Sequence, residues 1–145
     1  MLSHAEELIG YNIKTSRRII RFLAIHLKED GITPEQWTVL KRVGESRGIS
    51  QKELSARADK DQATLTKILD LLEKKNFIRR EANPRDRRSF LVVLTEAGEE
   101  LKQTLTDKME ILFAGLLENT SDEDLAVFLG ILDRINGNIA NNTTS

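Results

Sequence analysis

The apolar positions of the chain fall into helical stripes interrupted by one hairpin, and the pattern is clearest between residues 61 and 98. Leu65, Ile68, Leu69 and Leu72 recur at i, i+3, i+4 and i+7, so they form one buried stripe of a helix. The opposite face carries Ala63, Lys67, Asp70 and Lys74, flanked by Thr64 and Thr66. Asp61 suits the N-cap, where its carboxylate accepts from the free amides of the first turn, and Asn76 tolerates the left-handed conformation that closes a helix. Phe77 and Ile78 begin a short apolar strand that leads through Arg79 and Arg80 to Ala82-Asn83-Pro84, a turn signal. Phe90 to Leu94 is a continuous apolar run of strand length. Thr95 then caps another helix, with Glu96 in the first turn where the helix dipole favours negative charge.

The same reading organises the flanks. Residues 3 to 30 form one long helix, with Ser3 and Glu6 as a capping box and Gly31 as its stop. Its apolar residues, among them Leu8, Ile9, Ile13, Ile19, Ile20, Phe22, Leu23 and Leu27, cover more than one face, which calls for something large to pack on, such as a second subunit. Thr33, Pro34 and Gln36 open a second helix with a cap, a proline at the first helical position and a capping-box glutamine. Trp37, Val39, Leu40 and Val43 give that helix its core face. Ser50 to Glu53 repeats the capping-box pattern and opens a short third helix with Leu54 and Ala58 inside. Residues 50 to 75 therefore read as helix, turn, helix. Beyond the hairpin, Leu101, Leu105, Met109, Leu112 and Leu116 line a helix from Glu96 to about Glu118. Ser121 caps a last one striped by Leu125, Phe128, Leu129, Leu132, Ile135 and Ile139, and the final Asn-Asn-Thr-Thr-Ser is expected to fray.

Charge changes this picture. From Lys74 to Arg88 there are seven basic and two acidic residues, a local net of +5, and from Thr95 onward three basic and ten acidic, a net of −7. The overall net charge of −1 conceals a bipolar chain. A compact basic patch on a helix and hairpin is the footprint of nucleic-acid binding, because each phosphate neutralised releases condensed counterions. The plainer reading, a merely solvated charged face, fits less well with arginines concentrated on one loop beside a helix whose polar face is small and basic.

DRRSFLVVLTEAG, residues 86 to 98, fits the pattern D-x-R-x-x-x-(apolar)-x-L-T-x-x-G and resembles the wing signature of the MarR family of bacterial transcriptional regulators. LEKKNFIRR, residues 72 to 80, resembles that family's end of recognition helix and first wing strand, with Asn76 where glycine is usual. The resemblance implies an α+β, mostly helical fold: a winged helix-turn-helix over residues 34–98, with residues 1–33 and 99–145 forming a helical dimerisation region of the same single domain. It implies a regulator, more a repressor than an activator, that binds a pseudo-palindromic operator in double-stranded DNA as a homodimer and responds to a small organic effector. On this reading Gln62, Ala63, Thr64, Thr66 and Lys67 enter the major groove and Lys74 lies at the helix end. Arg85, Arg87 and Arg88 reach phosphates and the minor groove. Asp86 would orient the Arg88 guanidinium through paired hydrogen bonds, the alternative being an aspartate that only forms the turn. Asp70 is expected to pair with Lys74 or Lys67 along the helix.

What is missing narrows the classes. The chain has no cysteine, which excludes disulfides, thiolate metal sites and thiol redox sensing. His4 and His26 are the only histidines and are not spaced as zinc ligands, so no metal or other cofactor is expected. No phosphate-binding glycine loop, nucleophile elbow or nucleophile with a nearby base is present, which argues against an enzyme. With neither a signal peptide nor a membrane span, the expected residence is cytoplasmic and off the membrane. Tyr11, His26 and Trp37 are the side chains that could line an effector pocket, set against the plainer reading of Trp37 as core. A winged helix used only for protein contacts is the competing function, since fold alone does not fix function.

Overall fold

A computed structural model describes residues 2–143. Helix α1 (Leu2–Leu27) passes into a 3₁₀ turn (Lys28–Asp30), followed by α2 (Pro34–Val43), β1 (Ile49–Ser50), α3 (Gln51–Ala58), α4 (Gln62–Lys74), β2 (Ile78–Ala82), β3 (Phe90–Leu94), α5 (Glu96–Leu116) and α6 (Asp122–Thr143). The chain forms two compact units, Met1–Thr104 and Leu105–Ser145.

In the first unit the local signals do what their chemistry demands. The first helix stops at Gly31, whose φ of 74° is open to glycine, although its last residues tighten into the 3₁₀ turn instead of continuing the α-helix to position 30. The expected capping box on Ser3 involves a side chain outside the described residues. Thr33 and Gln36 form a complete capping box: the Thr33 hydroxyl accepts from the Gln36 amide at 3.1 Å, and the Gln36 side chain accepts from the Thr33 amide at 3.2 Å. Ser50 caps α3 by accepting from the Glu53 amide, but the box is only half made, because the Glu53 carboxylate turns to Arg57 at 3.0 Å. Asn76, with φ 65°, closes α4 as a Schellman turn: the Phe77 amide donates to the Leu72 carbonyl and the Asn76 amide to that of Glu73.

The core lies among α2, α3, α4 and the sheet. Leu40, Leu54, Leu65, Leu69, Leu72, Ile78 and Val92 are all but fully buried, and cutting any of these leucines to alanine would cost about 2–5 kcal/mol. Helix α4 packs on α2, α3 and β2, so its stripe is covered on three sides. The sheet is antiparallel in the order β1-β3-β2, with Ile49 opposite Val92 and Ile78 opposite Leu94. Strand β1 is a finding that periodicity could not supply, since two residues carry no alternation. Strand β2 is also less apolar than expected: Arg79, Arg80 and Glu81 belong to it, and only Ile78 is buried.

Thr95 and Gly98 tie α4, β2 and α5 together. The Thr95 hydroxyl accepts from the Gly98 amide at 3.0 Å and donates to the Asn76 carbonyl at 2.6 Å, while the Thr95 amide donates to the Phe77 carbonyl. A Cβ at Gly98 would fall 2.0 Å from the Phe77 oxygen, so only glycine fits that position.

In the second unit, Leu105 and Met109 of α5 are buried. Ser121 caps α6 by accepting from the Asp124 amide at 3.1 Å. The helix continues through Asn141 to Thr143, where fraying was expected, and Thr144 and Ser145 lie outside the described residues. No residue of α6 is buried, and Val127 and Leu129 are each 61% exposed. In the first unit, Leu8, Tyr11 and Ile20 of α1 are exposed as well.

Candidate nucleic-acid interface

The N-terminal turns of α4 and the loop between β2 and β3 carry the predicted contact residues except Lys74, which is exposed as the last residue of α4, and all belong to the first unit. Asp61 begins α4 as its N-cap. Its carboxylate accepts from the Thr64 amide at 2.8 Å and from the Thr64 hydroxyl at 3.0 Å. Those two bonds, the amide first, hold the Asp61 carboxyl below its ordinary pKa. Gln62, Ala63, Thr66 and Lys67 are exposed and Thr64 is half-buried. The two threonines are already committed within the fold. Thr64 donates to Asp61, and Thr66 donates to the Gln62 carbonyl at 2.8 Å while accepting from the Gln51 side chain at 2.7 Å. Lys67 and the Gln62 amide nitrogen keep outward donors.

The wing is held by short asparagine and aspartate turns. The Asn83 side chain accepts from the Arg85 amide at 3.0 Å and donates to the Ser89 hydroxyl at 3.0 Å. Asp86 behaves differently from expectation: its carboxylate accepts from the backbone amide of Arg88 at 2.9 Å, not from the guanidinium. It therefore shapes the loop that presents Arg88, and acts on the side chain only through the backbone. Arg85, Arg87 and Arg88 are exposed, and among the described residues none is paired with an acid.

Not every basic residue of the patch is available. Lys75 turns inward, donating to the Gly31 carbonyl at 2.6 Å and to Oε1 of the buried Gln36 at 3.1 Å, so it anchors α4 to the loop before α2. Arg80 bridges Asp70 at 3.0 Å and Glu73 at 2.9 Å, and Arg79 pairs with Glu81 at 3.0 Å. Asp70 thus meets a strand arginine and not the lysines of its own helix. Once these three cations are set aside, Lys74, Arg85, Arg87 and Arg88 remain of the original seven. Two further cations join them from the β1 region. Lys52 and Arg88 line a cleft of about 220 Å³ with Ser89 and Phe90, and Arg47 and Arg85 line a second of about 510 Å³. Strand β1, paired with β3, brings them there. Spacing along the chain does not reveal this, because Arg47 and Lys52 stand outside the basic run.

The three residues expected to line an effector pocket are not gathered. Trp37 is buried in the core, and His26 sits edge-on to Phe22 with ring centroids 4.5 Å apart. Tyr11 is exposed on α1 fifteen positions before His26, a separation of roughly 22 Å at 1.5 Å per residue. Among the described residues no cluster of potential metal ligands occurs and no helix is long and apolar enough to cross a membrane.

Residues 32–90 match the model of the MarR family. The HTH-type transcriptional regulator SarZ of Staphylococcus epidermidis is 33% identical over 99 residues, a match covering 68% of this chain and 67% of SarZ. A MarR protein from Peptoclostridium difficile shares the fold with a TM-score of 0.84 at 24% identity, over 93% of this chain and 88% of that one. A mutant of MarR from E. coli complexed with operator DNA has a TM-score of 0.81 at 27% identity, over 88% and 92% of the two chains.

Proposed function

We propose, from the premise that this chain belongs to the MarR family of transcriptional regulators, that it is a repressor binding a pseudo-palindromic DNA operator as a homodimer and released by a small organic effector. The observation that carries the DNA-binding part is the sorting of the basic residues. Lys75, Arg79 and Arg80 are engaged by partners within the lobe itself, whereas Arg85, Arg87 and Arg88 are held out, exposed, on the wing. Three exposed arginines, none paired with an acid among the described residues, on a loop held by Asn83 and Asp86 present a surface for phosphates. The solved relative with operator DNA supports the same reading. The homodimer is supported by the uncovered apolar residues of α1 and, separately, by those of α6, since large exposed apolar surfaces are rare on monomers. The repressor role and the effector rest on the family alone. Tyr11 and His26 are too far apart on α1 to share a pocket within one chain, so a pocket using both would need a second copy.

Two recognition helices related by a two-fold axis read half-sites about 10 to 10.5 base pairs apart, centre to centre. Binding-site selection from genomic DNA, followed by affinity measurements across a salt series, tests the proposal. The expected result is a palindromic site whose log K falls steeply and linearly with log salt. Absence of salt-dependent duplex binding would favour a winged helix that contacts only proteins.

A further inference from the structure

A chain of hydrogen bonds at the start of α4 determines what that helix can offer to a base edge. The Gln62 backbone carbonyl can only accept, and the Thr66 hydroxyl donates to it at 2.8 Å. With its one proton used, Thr66 Oγ1 faces Gln51 as an acceptor, so the atom 2.7 Å away must be the Gln51 amide nitrogen. The same nitrogen lies 3.3 Å from Gln62 Oε1, and a donor facing it there would be repelled. The amide oxygen of Gln62 is thereby turned inward, and its two N–H donors are left outward.

We propose that Gln51, half-buried on α3, is a positioning residue that sets the base preference of Gln62. A free glutamine reads adenine with one donor and one acceptor. With its amide oxygen engaged on the inner side by Gln51, Gln62 meets the groove through its two N–H donors, and it selects a base that presents acceptors there: guanine through O6 and N7, or thymine through O4. The inference deepens the DNA-binding reading and rests on it.

Glutamate at position 51 reverses the polarity, because a carboxylate cannot donate. In Gln51→Glu the Gln62 amide must turn its nitrogen inward and its oxygen outward, which suits the amino groups of adenine or cytosine. The Ser50 cap stays, and an acid in the first turn of α3 is compatible with the helix dipole. The experiment is selection from randomised duplexes with the full chain as wild type, Gln51→Glu and Gln62→Ala, with thermal melts confirming that each variant folds. The expected result is one symmetry-related position whose preference passes from guanine or thymine to adenine or cytosine in Gln51→Glu, by about fivefold or more in relative enrichment. That position should become indifferent in Gln62→Ala, with the others unchanged. If Gln62→Ala erases the preference at that position while Gln51→Glu leaves it as in the wild type, the positioning role is overturned and DNA binding stands. If the wild type selects no sequence, the DNA-binding reading fails and takes the inference with it.

Discussion

Between Thr33 and Lys75, helices α2, α3 and α4 are capped by Thr33, Ser50 and Asp61 and their apolar stripes are covered, whereas α6 is capped equally well by Ser121 and yet buries no residue. The two regions differ in coverage and not in local signals. Capping and propensity suffice to start a helix, but most helical stability in proteins comes from packing an apolar face. The winged lobe supplies that packing from its own elements. Helix α6, and the first turns of α1 likewise, expose Leu8, Tyr11, Val127 and Leu129, so their stability on this reading depends on a second copy.

Glycine offers the sharpest way to break this comparison. Gly98→Ala forces a methyl group into the Phe77 carbonyl, 2.0 Å away, at the junction of α4, β2 and α5. It should cost about 3 kcal/mol or more, seen as a lower denaturation midpoint with the slope unchanged. At Gly137 of α6 a Cβ meets nothing within 4 Å. In an uncovered helix Gly137→Ala should gain about 1 kcal/mol. A loss there instead would mean that the glycine lies against another copy. Leu129→Glu attacks the proposed interface directly, placing a charge where a leucine is 61% exposed in the single chain. Its dimer should dissociate about a hundredfold more readily, or about 2.7 kcal/mol, as read by sedimentation. An unchanged dimer would remove α6 from the interface.

The lobe was legible in the sequence wherever the interacting groups lie within about one helical turn. The Asp61 and Thr95 caps and the Leu65-Ile68-Leu69-Leu72 stripe follow from spacing alone. Spacing misleads where the partner is distant along the chain, and at Asp86, where two donors of one nearby residue compete. Helical spacing sets Asp70 against Lys67 and Lys74, its neighbours at i−3 and i+4, while Arg80 reaches it from the adjacent strand. Lys75 counted as part of a basic patch, although its partner carbonyl at Gly31 is 44 positions away. Strand β1 was invisible because two residues have no period, and with it went the placement of Arg47 and Lys52 beside the wing. The charge of Asp86 points to a guanidinium, yet the donor it meets is the backbone amide of Arg88 two residues on.

That sorting of cations gives a finer contrast within the lobe. Lys75→Met removes the donor to Gly31 and to the buried Gln36, and should cost about 1–2 kcal/mol of folding stability. Its effect on the salt dependence of DNA binding should be nil. Arg88→Ala should do the reverse, leaving stability within about 0.5 kcal/mol. It should flatten the slope of log K against log salt by about 0.9 per subunit, nearly 2 for a dimer. Chemical denaturation and salt titration of both variants would separate the roles. A salt slope that fell for Lys75→Met would show that its ammonium also reaches phosphate.

The smallest expected effect tests whether the start of α4 is as firmly closed as its geometry suggests. The Asp61 carboxyl is lowered from its ordinary pKa chiefly by the Thr64 amide and then by the Thr64 hydroxyl. A carboxylate lowered on folding contributes stability above its unfolded pKa and loses that contribution as pH falls through the lower, folded value. The Thr64 amide resonance should therefore titrate with a midpoint below the ordinary aspartate range, and the cap should be intact at neutral pH. In Asp61→Asn an acceptor remains but the titration is gone, so the Thr64 resonance should lose that pH dependence while α4 keeps its cap. A Thr64 midpoint at or above the ordinary carboxylate value would mean that Asp61 is largely solvated and that the first turn of α4, which carries Gln62 and Lys67 to the proposed contact surface, is set by packing of Leu65 and not by its cap.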